Sequence, residues 1–375
     1  MPLQAQEKYK NESYVSKLAK VIVQYSLDLQ SGETFILMTN PEAEELNLAV
    51  IEEAVKAGAH VNYHNEIPEY MEILLKYGND EQIKFISPFE NSANQDFETT
   101  MYIGAPKNKF TTSGVDPDRL NMFYDSRKRF VESFMKRIAE KALKWCVTAF
   151  PTEAIAQDAR MSLSTYKEFF YSACKLDQPD PVQAWKDLGE QQEKLIHWLK
   201  GKDEVRIKGP YIDLRMSIKG RTFMNAEGKN NFPDGEIYTG PVEESVNGWV
   251  KFTYPALYSG NEMKGIQLWF EDGKVVKEKA EVGEEYLTGI LDMDKGARYL
   301  GELGIGTNEG IQTFTKVMLF DEKMAKTIHL ALGSGYPETG SKNVSAIHWD
   351  LLCDMKEGEI IVDGETFYKD GLFLH

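Results

Sequence analysis

Residues 34–64 read TFILMTNPEAEELNLAVIEEAVKAGAHVNYH, and three structural signals follow one another within them. Thr34–Met38 (TFILM) is an apolar run of strand length, which marks a buried strand. Glu42–Ala57 reads as a helix closed by Gly58. Val61–His64 reads as another strand. Strand, helix and strand in that order argue for a parallel α/β sheet.

The alternation continues outward from this stretch. Upstream, residues 8–30 place Tyr14, Leu18, Val21, Ile22, Tyr25 and Leu29 at helical spacing, and Ser31-Gly32 stops the helix. Downstream, Lys84–Ile86 and Met101–Ile103 are predicted strands, Pro117–Leu143 a long helix, and Lys144–Ala149 one more strand. From 153 to about 200 the pattern is mainly helical. It then changes to short runs separated by turn residues: Val205–Lys208, Ile212–Ile218, Glu236–Tyr238, Trp249–Thr253, Ile266–Phe270 and Lys274–Ala280. Asp272-Gly273 between the last two is a hairpin signal. Asp292–Leu300 is predicted as a helix. The expected organisation is an N-terminal α/β domain over 1–195 with a mainly parallel sheet. A β-rich α+β domain over 196–375 follows it and carries the chemistry. The boundary falls near 185–205.

At 375 residues the chain exceeds one typical core, which also argues for two domains. Its formal charge of −16 argues against nucleic acid as a partner, because phosphate binding needs concentrated Lys and Arg. The same charge favours cationic ligands, among them metal ions and peptide amino termini. The three cysteines, Cys146, Cys174 and Cys353, stand far apart with no Cys-x-x-Cys, so neither a disulfide framework nor a thiolate metal site is indicated. The opening residues MPLQAQEK contain no apolar signal core, and no stretch approaches the ~20 apolar residues of a membrane span. A cytoplasmic location is the expectation.

The α/β half has no Gly-x-Gly-x-x-Gly after its first strand and no Walker loop, so it is not read as a nucleotide site. The glycine-rich segment Leu300–Asn308 contains no Lys and sets Glu302 where an anion would bind. The chemistry-bearing residues gather near the C-terminus. Of six histidines, His329 and His348 lie close in sequence to Tyr336 and Asp350. On a strand, residues two apart share a face, so His348 and Asp350 project together with Trp349 on the other side. One nitrogen and one oxygen donor on a rigid face suit a borderline divalent ion such as Zn²⁺, although a hydrogen-bonded pair has the same spacing. Glu236 and Glu302 are flanked by glycine and apolar residues rather than by charges. A carboxylate buried there needs a positive partner, whether a salt bridge or a cation. Glu236, Glu302, His329, His348 and Asp350 make five oxygen and nitrogen donors, enough for two ions sharing a bridging carboxylate. Glu309, Asp292 and Asp294 are read as solvated or structural.

Segments 233–241 (PDGEIYTGP), 301–308 (GELGIGTN), 329–337 (HLALGSGYP) and 345–350 (SAIHWD), with Trp145–Thr152 (WCVTAFPT), together resemble the thermophilic aminopeptidase family of metallopeptidases. The resemblance spans essentially the whole chain. It implies a two-domain homodimer with two divalent ions (Zn, Co or Mn) in the C-terminal domain. It also implies peptide substrates with a free N-terminus. By motif, the family's metal ligands fall on Glu236, Glu302, His329, His348 and Asp350, and its active-site tyrosine falls on Tyr336. The loop from Tyr336 to His348 is short beside some members, which bears on pocket shape. In the implied reaction one ion polarises the scissile carbonyl and the other receives the α-amine. Tyr336 would stabilise the oxyanion, and Glu302 would serve as bridging ligand or general base. Two rivals use the same residues. A non-haem iron ring-cleaving dioxygenase needs His, His and a carboxylate. A metal-stabilised scaffold needs only binding.

Overall fold

Strand β1 (Thr34–Thr39) of a computed structural model, which describes residues 13–375, lies between β2 (His60–Asn65) and β3 (Thr99–Gly104). Next to β3 comes β4 (Lys144–Ala149), and a two-residue strand, Asn231–Phe232, completes the sheet. Every pairing in it is parallel. Phe35, Ile36 and Leu37 of β1 are all buried, as a strand covered on both faces requires. Helix α1 (Tyr14–Val21) is capped by the Ser13 hydroxyl and runs into a π-helical turn, Ile22–Ser26. The part of the expected first helix before residue 13 lies outside the described residues. Helix α2 (Glu44–Lys56) buries Leu46, Val50 and Ala54 on one face. Its acidic first turn and Lys56 near its end both suit the helix dipole.

Two expected elements differ. Lys84–Ile86 is not a strand; Asp80–Lys84 is a short helix. The Asn79 side chain accepts from Gln82 N–H while Gln82 bonds back to the Asn79 N–H, a reciprocal cap that outweighs a brief apolar run. Asp292–Leu300 is not a helix either. The helix there is Glu284–Leu291, and Asp294 Oδ1 then accepts from the Gly296 and Ala297 N–H groups, holding a turn. The long helix α3 (Pro117–Ala139) stops four residues short of Leu143.

The chain packs as two units. One runs to Val182 and takes back Gly228–Pro233, and the other comprises Gln183–Glu227 and Asp234–His375. The second unit opens within helix α4 (Pro181–Leu199) and holds two larger antiparallel sheets. The eight-stranded sheet contains the hairpin Gln267–Glu271/Lys274–Lys279, turned by Asp272 and Gly273 at φ 47° and 82°. Positive φ at both central residues is what the Asp-Gly signal anticipates. The five-stranded sheet runs in the order β9 (His348–Asp354), β8 (Thr327–Gly333), β7 (Leu300–Gly306), β6 (Glu236–Thr239) and β5 (Met224–Ala226). One hydrophobic core serves this unit, drawing Val205, Leu214, Val250 and Leu268 from the larger sheet and Leu303, Leu330 and Leu351 from the smaller.

Candidate metal centre

The alternation of a strand sorts the five-stranded sheet into two faces. Ile237, Leu303, Ile305, Ile328, Leu330, Leu332, Trp349 and Leu351 belong to the core. The residues between them turn the other way: Glu236 and Tyr238 on β6, Glu302 and Gly304 on β7, His329 and Ala331 on β8, His348 and Asp350 on β9. All five sequence-predicted donors therefore stand on four adjacent strands. Small residues between them make room. Gly304 pairs with His329, and a Cβ on Gly304 would run into the imidazole ring. Ala331 lies opposite both Glu302 and Asp350. The β7–β8 register slips between Leu300 and Glu302, a bulge of the kind that re-aims a side chain. Buried Gln192, on α4, pins β6 by donating from Nε2 to the Glu236 carbonyl at 2.9 Å.

The donor atoms converge. His329 Nε2 is 3.1 Å from Glu236 Oε2, 3.1 Å from Glu302 Oε1 and 4.0 Å from Asp350 Oδ1. His348 Nε2 is 3.3 Å from Glu302 Oε2 and 3.7 Å from Asp350 Oδ1. Two groups result, Glu236–Glu302–His329 and Glu302–His348–Asp350, each with ligand atoms within 4.8 Å of one another. Glu302 belongs to both, one oxygen to each imidazole. A tetrahedral ion with bonds of about 2.0–2.1 Å spaces its ligands by roughly 3.3 Å, which these separations bracket. Each Nδ1 sits on a main-chain carbonyl, His329 on Glu322 at 3.1 Å and His348 on Ser334 at 2.7 Å. A carbonyl only accepts, so Nδ1 carries the proton and Nε2 is free to ligate.

Two observations show that these residues fit cations. Glu236 Oε2 and Asp350 Oδ1 are buried without a hydrogen-bond partner, an arrangement that costs about 1–3 kcal/mol per group if nothing meets them. The charges also need balancing. Lys323, 2% exposed, is bonded to Glu236 and lies 2.6 Å from Glu322 and 3.6 Å from Asp234. With Glu302 and Asp350 the site counts five carboxylates against one ammonium, leaving four negative charges once both imidazoles are neutral, the charge of two divalent cations.

Protonation responds to the same imbalance. Burial pushes the Glu236 carboxyl up to about 8, against the pull of Lys323 and His329. Burial and then Glu322 push Asp350 up to about 6. Burial works to raise Glu302 as well, but hydrogen bonds from His329 and His348 prevail and hold it down at about 2. Burial disfavours charge on both imidazoles, yet the carboxylates outweigh it and raise His329 to about 10 and His348 to about 9. The pocket thus holds protons where positive charge is wanted.

Tyr336 lies beside this cluster, its ring 4.9 Å from the His348 ring and 5.5 Å from that of Tyr238. Burial and then the Glu302 and Asp350 charges push its phenol well above the ordinary range, so it stays a neutral donor. Sequence reasoning missed Tyr238, Lys323 and Glu322. Tyr238 was detectable as the position two after Glu236 on one strand. Lys323 and Glu322 precede β8 in a loop and left no periodic signal. Asp294, read as structural, accepts from the Ser345 hydroxyl and the Ala346 N–H and so anchors the loop that carries Tyr336.

Two imidazole-containing donor groups that share a carboxylate define a candidate metal centre built on one antiparallel sheet. Residues 11–373 match the family described as thermophilic metalloprotease (M29), and the chain belongs to that family. Among its relatives, aminopeptidase 2 of Geobacillus stearothermophilus is 27% identical over 401 aligned residues, covering 96% of this chain and 95% of that protein. The structure of wild-type AmpT from Thermus thermophilus superposes with a TM-score of 0.83 at 23% identity, over 96% of this chain and 99% of that one. The 2,5-dihydroxypyridine dioxygenase of Pseudomonas putida KT2440 shares the fold more distantly. Its TM-score is 0.58 at 12% identity, covering 97% of this chain and 98% of that one.

Proposed function

We propose that this chain is a metal-dependent aminopeptidase that removes the N-terminal residue of peptides, with Glu236, Glu302, His329, His348 and Asp350 holding two divalent ions. The observation that carries this reading is Glu302, whose two oxygens serve both donor groups. With both oxygens so placed, the bridging role suits Glu302 better than that of a free general base. Ions bound there would polarise a peptide carbonyl and bring the pKa of water from about 15.7 towards 7. The protein's own part is orientation. Main-chain carbonyls fix both imidazoles, and Tyr336 offers a neutral O–H to a developing oxyanion.

Imidazole and carboxylate without thiolate suit Zn²⁺, Co²⁺ or Mn²⁺. A homodimer is supported by helix Pro68–Tyr77, which exposes Tyr70, Ile73 and Tyr77 at 68%, 57% and 81% along one face. A cytoplasmic setting is supported by Cys146, Cys174 and Cys353, which are buried and far apart in the sequence. The charge of −16 argues against a nucleic-acid partner. No described helix is long and apolar enough to cross a membrane.

The test is hydrolysis of aminoacyl-nitroanilides and of matched peptides with free and acetylated amino termini. Activity should vanish with chelation, return with Zn²⁺, Co²⁺ or Mn²⁺, and spare the acetylated peptides. Turnover that survives metal removal would refute the reading. A second reading, an iron dioxygenase in which His329, His348 and a carboxylate would hold the metal, is raised by the distant fold neighbour. It predicts one iron per chain and oxygen-dependent turnover, whereas five donors around a shared carboxylate favour two redox-inert ions.

A further inference from the structure

We infer that Lys323 is a positioning residue of this centre: it occupies Oε1 of Glu236, leaves Oε2 as that side chain's single oxygen for a cation, and makes the Glu236–Glu302–His329 position the weaker of the two. The inference rests on the two-cation reading above and deepens it.

The geometry is specific. The Lys323 ammonium bonds Glu236 Oε1, while Oε2 of the same carboxylate is buried, has no hydrogen-bond partner and lies 3.1 Å from His329 Nε2. Glu322 at 2.6 Å and Asp234 at 3.6 Å hold the ammonium from other sides. Lys323 therefore cannot swing away without stranding three carboxylates. The other donor group has no such neighbour: among the described residues, the ion pairs of Glu302 and Asp350 run only to His329 and His348. A cation on Glu236 Oε2 shares its carboxylate with a fixed positive charge, and a cation between Glu302, His348 and Asp350 does not. Like charges about 5 Å apart repel enough, at the effective dielectric of a protein site, to weaken binding by about tenfold or more. One ion is thus retained and the other exchanges. A lone buried lysine that only balanced charge would not discriminate between the positions.

The experiment is a Zn²⁺ titration of the full chain, stripped by chelator, followed by calorimetry and by equilibrium dialysis with metal analysis. The wild type should bind two ions in steps separated by about tenfold or more. Lys323→Met should tighten the second step by about tenfold and leave the first in place, and Lys323→Arg should keep both steps apart. Glu236→Gln should abolish the weaker step alone, which tests the order even if Lys323→Met fails to fold. With Co²⁺ in place of Zn²⁺, only the absorption bands that appear with the second equivalent should change in Lys323→Met. Two equal steps in the wild type, an unchanged second step in Lys323→Met, or loss of the tight step in Glu236→Gln would overturn the assignment of Lys323 while the binuclear reading stood. A wild-type protein that bound no divalent ion would overturn the reading itself.

Discussion

Strand β7 is buried along its whole length and β1 through its centre, for opposite reasons. β1, TFILMT, fills its interior positions with Phe35, Ile36 and Leu37. β7, LGELGIG, gives its core face Leu303 and Ile305 and its other face Glu302 between glycines. Burial of the first is favourable in itself, at about 25 cal/mol per Å² of apolar surface. Burial of the second carries a carboxylate out of water and is tolerable only with positive charge beside it. The apolar strand is therefore about stability, and the charged one points to a ligand.

Substitutions should separate the two strands. The largest effect is expected from His329→Ala, which removes a donor common to the tightest contacts. Metal content should fall, and kcat/KM should drop by about three orders of magnitude, the worth of about 4 kcal/mol of charge stabilisation. Tyr336→Phe should lower kcat by about 10²–10³ with metal content intact, and a normal rate would remove Tyr336 from catalysis. Leu37→Ala on β1 should cost about 2–5 kcal/mol in denaturant melts yet leave the metal content of the folded protein unchanged. Gly304→Ala on β7 should displace the His329 ring and weaken metal binding by about 10–100-fold, at a cost of about 1–3 kcal/mol in the melt.

The pH dependence tests the imidazoles separately. His348 and His329 are raised to about 9 and 10, and each must shed its Nε2 proton to ligate. Metal binding therefore releases protons, and affinity should climb with pH until it passes about 9 and 10. Affinity that fell over that range in a competition assay would show that the imidazoles are not ligands.

The difference between the strands also explains what the sequence disclosed. Apolar runs such as TFILM and turn pairs such as Asp272-Gly273 act locally, so the parallel sheet and the hairpin were legible. Lys84–Ile86 and Asp292–Leu300 went wrong where side chains commandeered the backbone: Asn79 and Gln82 in one case, Asp294 in the other. Glu236 and Glu302 stood out as carboxylates amid glycine and apolar neighbours, His348 and Asp350 by their spacing on a strand and His329 by its nearness to them, and the family resemblance joined the five as one ligand set; the structure gathers them on one face. Lys323 and Glu322 reach that face from a loop, and their roles depend on contacts far apart in sequence, such as Lys323 to Asp234. No local period records such a contact.

The central claim is that Glu302 stands between two cations. Anomalous diffraction at the Zn or Co edge, from crystals of the metal-loaded protein, tests it directly. The account predicts two peaks per chain, one beside His329 and Glu236 and the other beside His348 and Asp350, with one oxygen of Glu302 turned to each. A single peak, or none at Glu302, would contradict it.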